Sequence, residues 1–156
     1  MSFQKVRVAD VPEVRREKEG RLLFRMPISE ALGRKPNSMD LLERHPFDVE
    51  MHRIVPGKLP YRYHSHSAQW EFYYVVSGNG VVRHADGETP VAAGDAFVFK
   101  PGEPHQLRND GAEDLVVMVI ADNPVGEYAS YPDEAMYLLT SPMRYVVKHP
   151  DRDDPV

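Results

Sequence analysis

Four side chains near the middle of the chain are of the types that bind metal ions. His64 and His66 are separated by one residue, and Glu71 follows them after a four-residue link. In a β-strand, alternate residues point to the same face, so both imidazoles would lie side by side while Ser65 points away. Neutral imidazoles suit Zn, Fe, Cu, Ni and similar ions, and His105 could supply a third one from further along the chain. Pairs of strand histidines also occur without a metal, so these residues alone leave both interpretations open.

The sequence around these four side chains favours buried strands, where polar groups are costly. Runs rich in Val, Phe and Tyr flank Glu71 and His105, and the Pro101-Gly102 turn could aim His105 inward. A buried polar group needs a partner, and one shared ion would satisfy all four side chains at once.

The elements that must position these residues are predicted to be short antiparallel strands. Apolar runs rich in Val, Ile, Phe and Tyr alternate with Gly and Pro signals, as is typical of all-β domains. Tight hairpin turns are predicted at Gly78-Asn79-Gly80, Asp86-Gly87 and Asn109-Asp110-Gly111, because these residues accept positive φ angles. The pattern predicts a β-sandwich or β-barrel with strands over 49–55, 71–77, 80–85, 95–100, 105–109 and 114–122.

The flanking segments have a different character. Residues 11–20 are highly charged and favour a turn of helix or an exposed strand edge, whereas 28–34 favour a short helix. Residues 144–149 could return as an edge strand, and 151–156 are expected to form a frayed end.

Length and composition limit the classes of function. The 156 residues correspond to one domain, which we divide into an N-terminal arm (1–46) packed on a barrel core (47–122) and a Pro-rich C-terminal extension (123–156). The formal net charge of −5 argues against nucleic acid as a partner, because phosphate binding needs a basic face. The lack of cysteine excludes disulfides, zinc–thiolate sites, iron–sulfur clusters and a cysteine nucleophile. Since no apolar run is long enough for a transmembrane helix and no secretory signal is evident, we expect a cytoplasmic protein without membrane contacts.

Two spaced patterns in the chain resemble the two motifs of the cupin superfamily. The first is Gly57-x6-His64-x-His66-x4-Glu71-x6-Gly78, and the second is Gly94-x7-Gly102-x2-His105-x3-Asn109. Two positions depart from the family pattern: the link from Gly57 to His64 is one residue longer, and Lys100 stands where a proline is usual. Neither departure falls on a ligand position.

This resemblance implies a single-domain cupin-type antiparallel β-barrel, also described as a double-stranded β-helix or jelly roll. It assigns metal-ligand roles to His64, His66, Glu71 and His105 around one divalent transition metal ion, which could be Fe, Mn, Ni, Zn, Co or Cu. Such a donor set leaves two positions of an octahedral ion open for a substrate or for dioxygen. The resemblance also implies a turn or supporting role for Asn109. Because cupins often dimerise by strand addition or arm exchange, it implies a homodimer.

Three functions remain open from the sequence. The first is a metalloenzyme acting on a small oxygen-rich metabolite, as in isomerisation of a sugar or sugar phosphate. The segment Tyr131-Pro132-Asp133 resembles a segment of small bacterial cupins that have isomerase-like names. The alternatives are a metal-dependent dioxygenase and a non-catalytic protein that binds a small ligand. Candidate substrate-binding residues are Arg53, Arg62 and Tyr63, and the sequence identifies no catalytic residue. In a regular strand Arg62 shares the face of His64, where it could bind a carboxylate or phosphate or form a salt bridge at the barrel mouth.

Overall fold

Antiparallel strands make up most of the described chain. The structure is a computed structural model that describes residues 3–36, 38, 40–139 and 145–148. The helical elements are α1 (Ile28–Ala31), α2 (Leu41–Arg44) and two 3-10 turns at Val8–Asp10 and Pro132–Glu134. The strands are β1 (Val14–Lys18), β2 (Arg21–Pro27), β3 (Phe47–Ile54), β4 (Ser65–His66), β5 (Glu71–Ser77), β6 (Asn79–His84), β7 (Gly87–Ala92), β8 (Ala96–Phe99), β9 (His105–Arg108), β10 (Leu115–Asp122), β11 (Tyr128–Tyr131), β12 (Met136–Leu139) and β13 (Tyr145–Lys148). Within these described ranges, no helix has the length and apolar character needed to cross a membrane.

The strands form three antiparallel sheets. The largest has six strands in the order β1-β2-β3-β10-β5-β8, the second has the order β13-β12-β11-β4, and the third has the order β7-β6-β9. Neighbours in sequence such as β5 and β6 lie in different sheets, as expected for a jelly roll. The predicted all-β antiparallel fold class is therefore confirmed.

The strands predicted for the central part of the chain are present. Strands β3, β5, β6, β8, β9 and β10 match the predicted runs to within two residues at each end. The short helix α1 and the returning strand β13 also lie where they were expected, and β1 agrees with the strand-edge alternative for its segment. Strands β2, β7, β11 and β12 were not predicted. The expected frayed end at 151–156 lies outside the described residues.

The apolar core lies between the six-stranded and the three-stranded sheet. Alternate residues of β10 point inward and are buried: Leu115, Val117, Val119 and Ala121. The six-stranded sheet also contributes Leu23, Ile54, Tyr73, Val75 and Phe99, and the three-stranded sheet contributes Val82, Val91 and Leu107. Burying each large apolar side chain contributes about 1.5–3 kcal/mol, so this cluster can stabilise a jelly roll that also encloses polar groups.

Two of the three predicted hairpin turns are wrong. At Gly78 the chain passes from β5 to β6, which belong to different sheets, so the segment is a crossing and does not join paired strands. The segment Asn109-Asp110-Gly111 is likewise a crossing, from β9 to β10. Only Asp86-Gly87 closes a hairpin among these three, between the paired strands β6 and β7.

The buried side chain of Asn109 organises the second crossing. Its Nδ2 donates hydrogen bonds to the backbone oxygens of Ile54 at 2.6 Å and Glu113 at 2.8 Å. Its Oδ1 accepts a hydrogen bond from the backbone N of Gly111 at 2.9 Å. These contacts give Asn109 the turn role that the cupin resemblance implied.

The crossing at Gly78 predicts an unequal response of two glycines to the same substitution. Gly78 and Gly57 both have positive φ angles, of +79° and +72°. A Cβ atom added to Gly78 would lie 2.3 Å from the backbone oxygen of Asp114, whereas a Cβ atom added to Gly57 would contact no atom within 4 Å. Gly57→Ala should lower the free energy of unfolding by about 1 kcal/mol through its φ angle alone. Gly78→Ala should cost at least about twice as much because the backbone must also move. Urea denaturation measures both values, and equal losses would contradict this close approach.

Candidate metal centre

Backbone pairing brings the four predicted ligands together. His64 forms an antiparallel bridge with His105, with backbone N–O distances of 3.1 and 2.8 Å. His66 follows in β4, Glu71 begins β5, and His105 begins β9. The ring centroids of His64 and His66 are 4.9 Å apart, so the two imidazoles share one face as their spacing predicts. Three strands of three different sheets thus meet at this point.

The potential ligand atoms lie within a few ångströms of each other. The Nε2 atoms of His64 and His66 are 3.1 Å apart, and Nε2 of His66 is 3.6 Å from Oε1 of Glu71. Nε2 of His105 is 2.8 Å from Oε2 of Glu71. One potential ligand atom from each of His64, His66 and Glu71 lies within 4.8 Å of the other two. Such a group could hold a metal ion.

Backbone oxygens orient the first and third imidazoles. Nδ1 of His64 lies 2.9 Å from the carbonyl oxygen of Arg62, and Nδ1 of His105 lies 3.1 Å from that of Glu103. We assign the proton to Nδ1 in both rings, because a carbonyl oxygen can only accept. The Nε2 lone pair of His64 then points into the site, whereas Nε2 of His105 donates to the ionised Glu71 and would release that proton on binding a metal ion.

A carboxylate orients the remaining imidazole in the same way. Nδ1 of His66 lies 2.6 Å from Oε1 of the buried Glu127. With the proton on Nδ1, the Nε2 lone pairs of His66 and His64 face each other at 3.1 Å. Two such lone pairs repel each other unless a cation lies between them. The donor set therefore fits a divalent transition metal ion.

Burial and neighbouring charges set the protonation of the site. Burial lowers the pKa of His64 to about 3, so this imidazole stays neutral. Burial alone would favour protonated Glu71, but its hydrogen bond with His105 and the nearby imidazoles hold its pKa well below the usual range. Burial likewise opposes a charge on His66, yet the carboxylates of Glu127 and Glu71 outweigh it and raise the pKa of that imidazole. A neutral imidazole beside an ionised carboxylate is in the protonation state that metal binding requires.

Aromatic rings hold two of the imidazoles in place. Phe99 stacks on His105 with ring centroids 3.9 Å apart and an interplanar angle of 2°. Tyr131 stacks on His64 with a centroid distance of 5.9 Å and an angle of 22°. The Tyr131-Pro132-Asp133 segment noted in the sequence therefore contacts the site through its first residue.

A chain of hydroxyl groups leads to the carboxylate of Glu71. The hydroxyl of Tyr73 donates a hydrogen bond to Oε2 of Glu71 at 3.1 Å, and the hydroxyl of Tyr61 donates to that of Tyr73 at 3.3 Å. Burial raises the pKa of Tyr61 above its usual value, so its hydroxyl keeps its proton. The chain fixes the orientation of Glu71.

A cavity of about 890 Å³ opens beside the site. His64, Tyr61 and Tyr131 line it, and the rest of its wall comes from the β1–β2 hairpin and from β12 and β13. This volume lies in the range of pockets that bind small molecules.

Arg62 is one of the residues that line this cavity, on the same side as His64. Its guanidinium forms ion pairs with Glu19 at 2.8 Å and with Glu134 at 3.3 Å. Arg62 therefore forms salt bridges and lines the cavity, while its role in binding a carboxylate or phosphate stays a prediction.

The other two predicted substrate-binding residues lie elsewhere. Arg53 forms ion pairs with Glu13 at 2.7 Å and with Asp114 at 2.9 Å. Tyr63 is buried, and the guanidinium of Arg83 lies 3.8 Å above its ring. Within the described part of the chain, neither residue belongs to the lining of the cavity. The roles of Arg53 and Tyr63 in substrate binding therefore remain predictions.

Sequence reasoning missed two residues that support the centre. Glu127 lies in the segment before β11, carries no motif, and reaches His66 only because β4 and β11 pair. Phe99 lies in a run that was interpreted as a core strand, with no signal that its ring would stack on His105.

Comparisons with known proteins identify related folds. The profile of the cupin domain family matches residues 50–121, which include the four predicted ligands. A solved structure from Acidithiobacillus ferrooxidans, provisionally named a sugar phosphate isomerase, is 25% identical with a TM-score of 0.79 over 96% of this chain and 91% of that chain. A sugar phosphate isomerase of the cupin superfamily from Silicibacter pomeroyi is 21% identical, with a TM-score of 0.78 over 98% of this chain and 96% of that chain.

A shorter sequence similarity links the chain to the oxalate-binding protein of Thermotoga maritima. The two are 33% identical over 57 residues, which is 36% of this chain. The similarity spans about half of that relative, 47% of its length. It covers part of the same β-domain and does not extend to the whole of either protein.

The neutral state of His64 should make the stability of the metal-free protein depend on pH. The folded-state pKa of about 3 lies below the ordinary 6.5, so acid protonates the unfolded chain first. This stabilisation is complete above the ordinary pKa and is lost as pH falls towards 3, by about 1.4 kcal/mol per pH unit. With chelator present, the difference in unfolding free energy between wild type and His64→Gln should therefore shrink from about pH 7 to about pH 5 in urea denaturation. A constant difference would show that this imidazole is solvated in the folded state.

Proposed function

Because this chain contains a cupin domain over residues 50–121, we propose that it is a metal-dependent enzyme that isomerises a small oxygen-rich metabolite of the sugar-phosphate class. The observation that carries the proposal is the placement of the site. His64, His66 and Glu71 form a group that could hold a metal ion, and His105 contacts Glu71 at 2.8 Å. His64 also lines a cavity of about 890 Å³ that can admit such a molecule.

The proposed ligands are His64, His66, Glu71 and His105. The Nε2 atoms of the three histidines lie near the Glu71 carboxylate. The Nδ1 atom of each histidine donates a hydrogen bond to an oxygen atom. A mixed N/O donor set suits several divalent ions and does not select one. When bound, such an ion would polarise the carbonyl and hydroxyl oxygens of a substrate and so ease proton transfer.

The chain's own residues could handle the proton that an isomerisation moves. Conversion of an aldose into a ketose transfers a proton from C2 to C1 while the adjacent carbonyl and hydroxyl exchange places. Tyr61 lines the cavity, and its hydroxyl connects through Tyr73 to Glu71. We therefore assign Tyr61 as the group that holds a proton next to the substrate.

One relative supports this class of reaction. The protein of Acidithiobacillus ferrooxidans, which shares 25% of its residues with this chain over nearly the full length, carries a provisional sugar phosphate isomerase name. The more distant protein of Silicibacter pomeroyi supports the fold alone, because it is 21% identical. The proposal depends on the site geometry, and the first relative makes the isomerase version the best starting point.

Loss of one imidazole should remove both the metal and the reaction. Wild-type protein purified without chelator should hold about one divalent ion per chain and should exchange the C2 proton of an aldose phosphate with deuterium from the solvent, as followed by NMR. His66→Ala should lose most of the metal and the exchange while its circular dichroism spectrum stays that of a β-fold. The matched control is His84→Ala, because the His84 ring bonds Thr89 at 2.9 Å and lies outside the ligand set.

Three outcomes would contradict the proposal. Full metal content in His66→Ala would refute the ligand assignment. Absence of metal in the wild type, even after reconstitution, would refute metal dependence. A metal-loaded wild type that exchanges no proton on any of several sugar phosphates would refute the isomerase assignment and leave a binding protein.

We also propose that the protein forms a homodimer through the outer face of its six-stranded sheet. In a sheet with one face in water, outward residues are normally polar. Here the middle of the outward face is apolar by register, although Arg15, Glu17, Arg53 and Asp122 lie on the same face nearer its edges. The apolar residues are Met26, Val49, Met51, Phe72, Tyr74, Val76, Val98, Met118 and Ile120. Four of them are 37–45% exposed: Phe72, Tyr74, Val76 and Val98. Apolar patches of several hundred Å² mark interfaces, and a twofold axis could pack this face against its own copy.

A charge on this face should break the dimer. Val76→Lys should convert a dimer into a monomer in light scattering after gel filtration, because the lysine ammonium would be desolvated in the interface. The matched control is Val125→Lys, since Val125 is 60% exposed outside the sheet and should leave the mass unchanged. A monomeric wild type at micromolar concentration, or a dimeric Val76→Lys protein, would contradict the proposed interface.

A further inference from the structure

One wall of the cavity carries a cluster of cations, although the chain has a formal net charge of −5. In the β1–β2 hairpin, Lys18 lies directly opposite Arg21, and Arg16 lies directly opposite Leu23. Opposed residues of an antiparallel pair share a face, so Arg16, Lys18 and Arg21 project on the same side as the buried Leu23. All three line the cavity, as does Arg62 beside His64. Arg15 and Glu17 of the same strand also line it, but they form an ion pair with each other.

Two of these cations have no partner within the described residues. Neither Arg16 nor Lys18 forms an ion pair or a side-chain hydrogen bond there. Unpaired cations that line a cavity raise the local concentration of anions and can bind one directly. The hairpin therefore presents free positive charge to whatever enters the cavity.

The other two cations share a carboxylate of the protein itself. Oε2 of Glu19 accepts hydrogen bonds from Arg21 and from Arg62, the latter at 2.8 Å. Glu19 lies in the turn of the hairpin with a φ of +52°, and its side chain is 51% exposed. A carboxylate between two guanidinium groups has the contacts that a carboxylate or phosphate of a ligand would make.

We propose that Arg16, Lys18, Arg21 and Arg62 form a subsite for the anionic group of the metabolite, and that Glu19 occupies the Arg21–Arg62 part of it until the ligand displaces this carboxylate. The inference rests on the proposed function, because it names the group that the substrate must carry. Its oxygen-rich end would face His64, and its anionic end would face the hairpin. Phosphate and carboxylate share the chemistry of this subsite, and a titration with each distinguishes them.

A competing role for Glu19 is structural. The carboxylate could hold the hairpin against the loop that carries Arg62. Exposed ion pairs contribute little to stability, so such a clamp would be weak. The two roles predict opposite effects on anion binding when Glu19 loses its charge.

The experiment measures binding of inorganic phosphate, glucose 6-phosphate, glucose and succinate to the full chain by calorimetry at low salt. We expect Glu19→Gln to bind both phosphates several-fold more tightly than wild type, because its competing charge is gone. Arg16→Gln combined with Lys18→Gln should bind them roughly ten- to a hundredfold more weakly, as expected for lost hydrogen bonds to a charged group. Glucose, which carries no charge, should bind equally to all variants.

Glu17→Gln is the matched control for the gain in affinity. It removes one negative charge from the same hairpin, but Glu17 pairs with Arg15 and not with the cations of the subsite. An equal gain in phosphate affinity in Glu17→Gln would show that the gain comes from the change in net charge alone, and it would overturn the role of Glu19. Unchanged or weaker phosphate binding in Glu19→Gln would favour the clamp and overturn the proposal, as would unchanged binding in the Arg16 and Lys18 double variant.

The same titration in His66→Ala separates this inference from the proposed function. The subsite uses no metal ligand, so inorganic phosphate should bind the metal-depleted variant as it binds wild type. Phosphate binding without any isomerisation would leave the subsite standing and refute the reaction. Metal binding and proton exchange without any effect of the hairpin variants would refute the subsite alone.

Discussion

Each of the three site imidazoles must keep its proton on Nδ1 so that its Nε2 lone pair can point inward. For His64 and His105 the acceptor is the backbone oxygen two residues earlier in the chain, so local backbone conformation fixes the Nδ1 contact of both rings. For His66 the acceptor is Glu127, a carboxylate sixty-one residues away. Two orientations therefore come from the turns that precede the strands, and the third depends on correct pairing of β4 with β11.

This arrangement concentrates polar groups at one end of a fold that is otherwise apolar inside. The carboxylate of Glu71 is kept ionised by its contact with His105, and Tyr73 satisfies the same oxygen from within the core. Without a metal ion the facing nitrogens of His64 and His66 are unfavourable unless a proton lies between them. The apolar cluster between the two sheets offsets this local cost, as is common where function overrides the rules that a core otherwise follows.

The sequence was sufficient for six central strands and for the shared face of His64 and His66, because both depend on local spacing. The meeting of Glu71 and His105 with this pair was implied only by the resemblance to two spaced motifs. The alternation of His64 and His66 and the apolar run of β10 are properties of neighbouring residues. The turn at Gly78 shows the limit of such reasoning: a glycine indicates positive φ, but whether the chain then reverses or changes sheets depends on pairing with distant strands. Strand β7 was missed for a related reason, since Pro90 argues against a central strand but is tolerated in an edge strand, which β7 is. Glu127 carries no local pattern at all, and only the tertiary fold shows which ring it contacts.

The match to the cupin domain ends at residue 121, whereas Glu127 and Tyr131 both contact the centre from beyond that point. The four predicted ligands thus lie inside the matched segment, whereas two of the groups that contact them lie outside it. A substitution at Glu127 would change the basicity of one imidazole without altering a single ligand. Two proteins of this fold could therefore share an identical motif and still differ in the reactivity of the ion that they hold, so the motif by itself identifies a place for chemistry more reliably than it identifies a reaction.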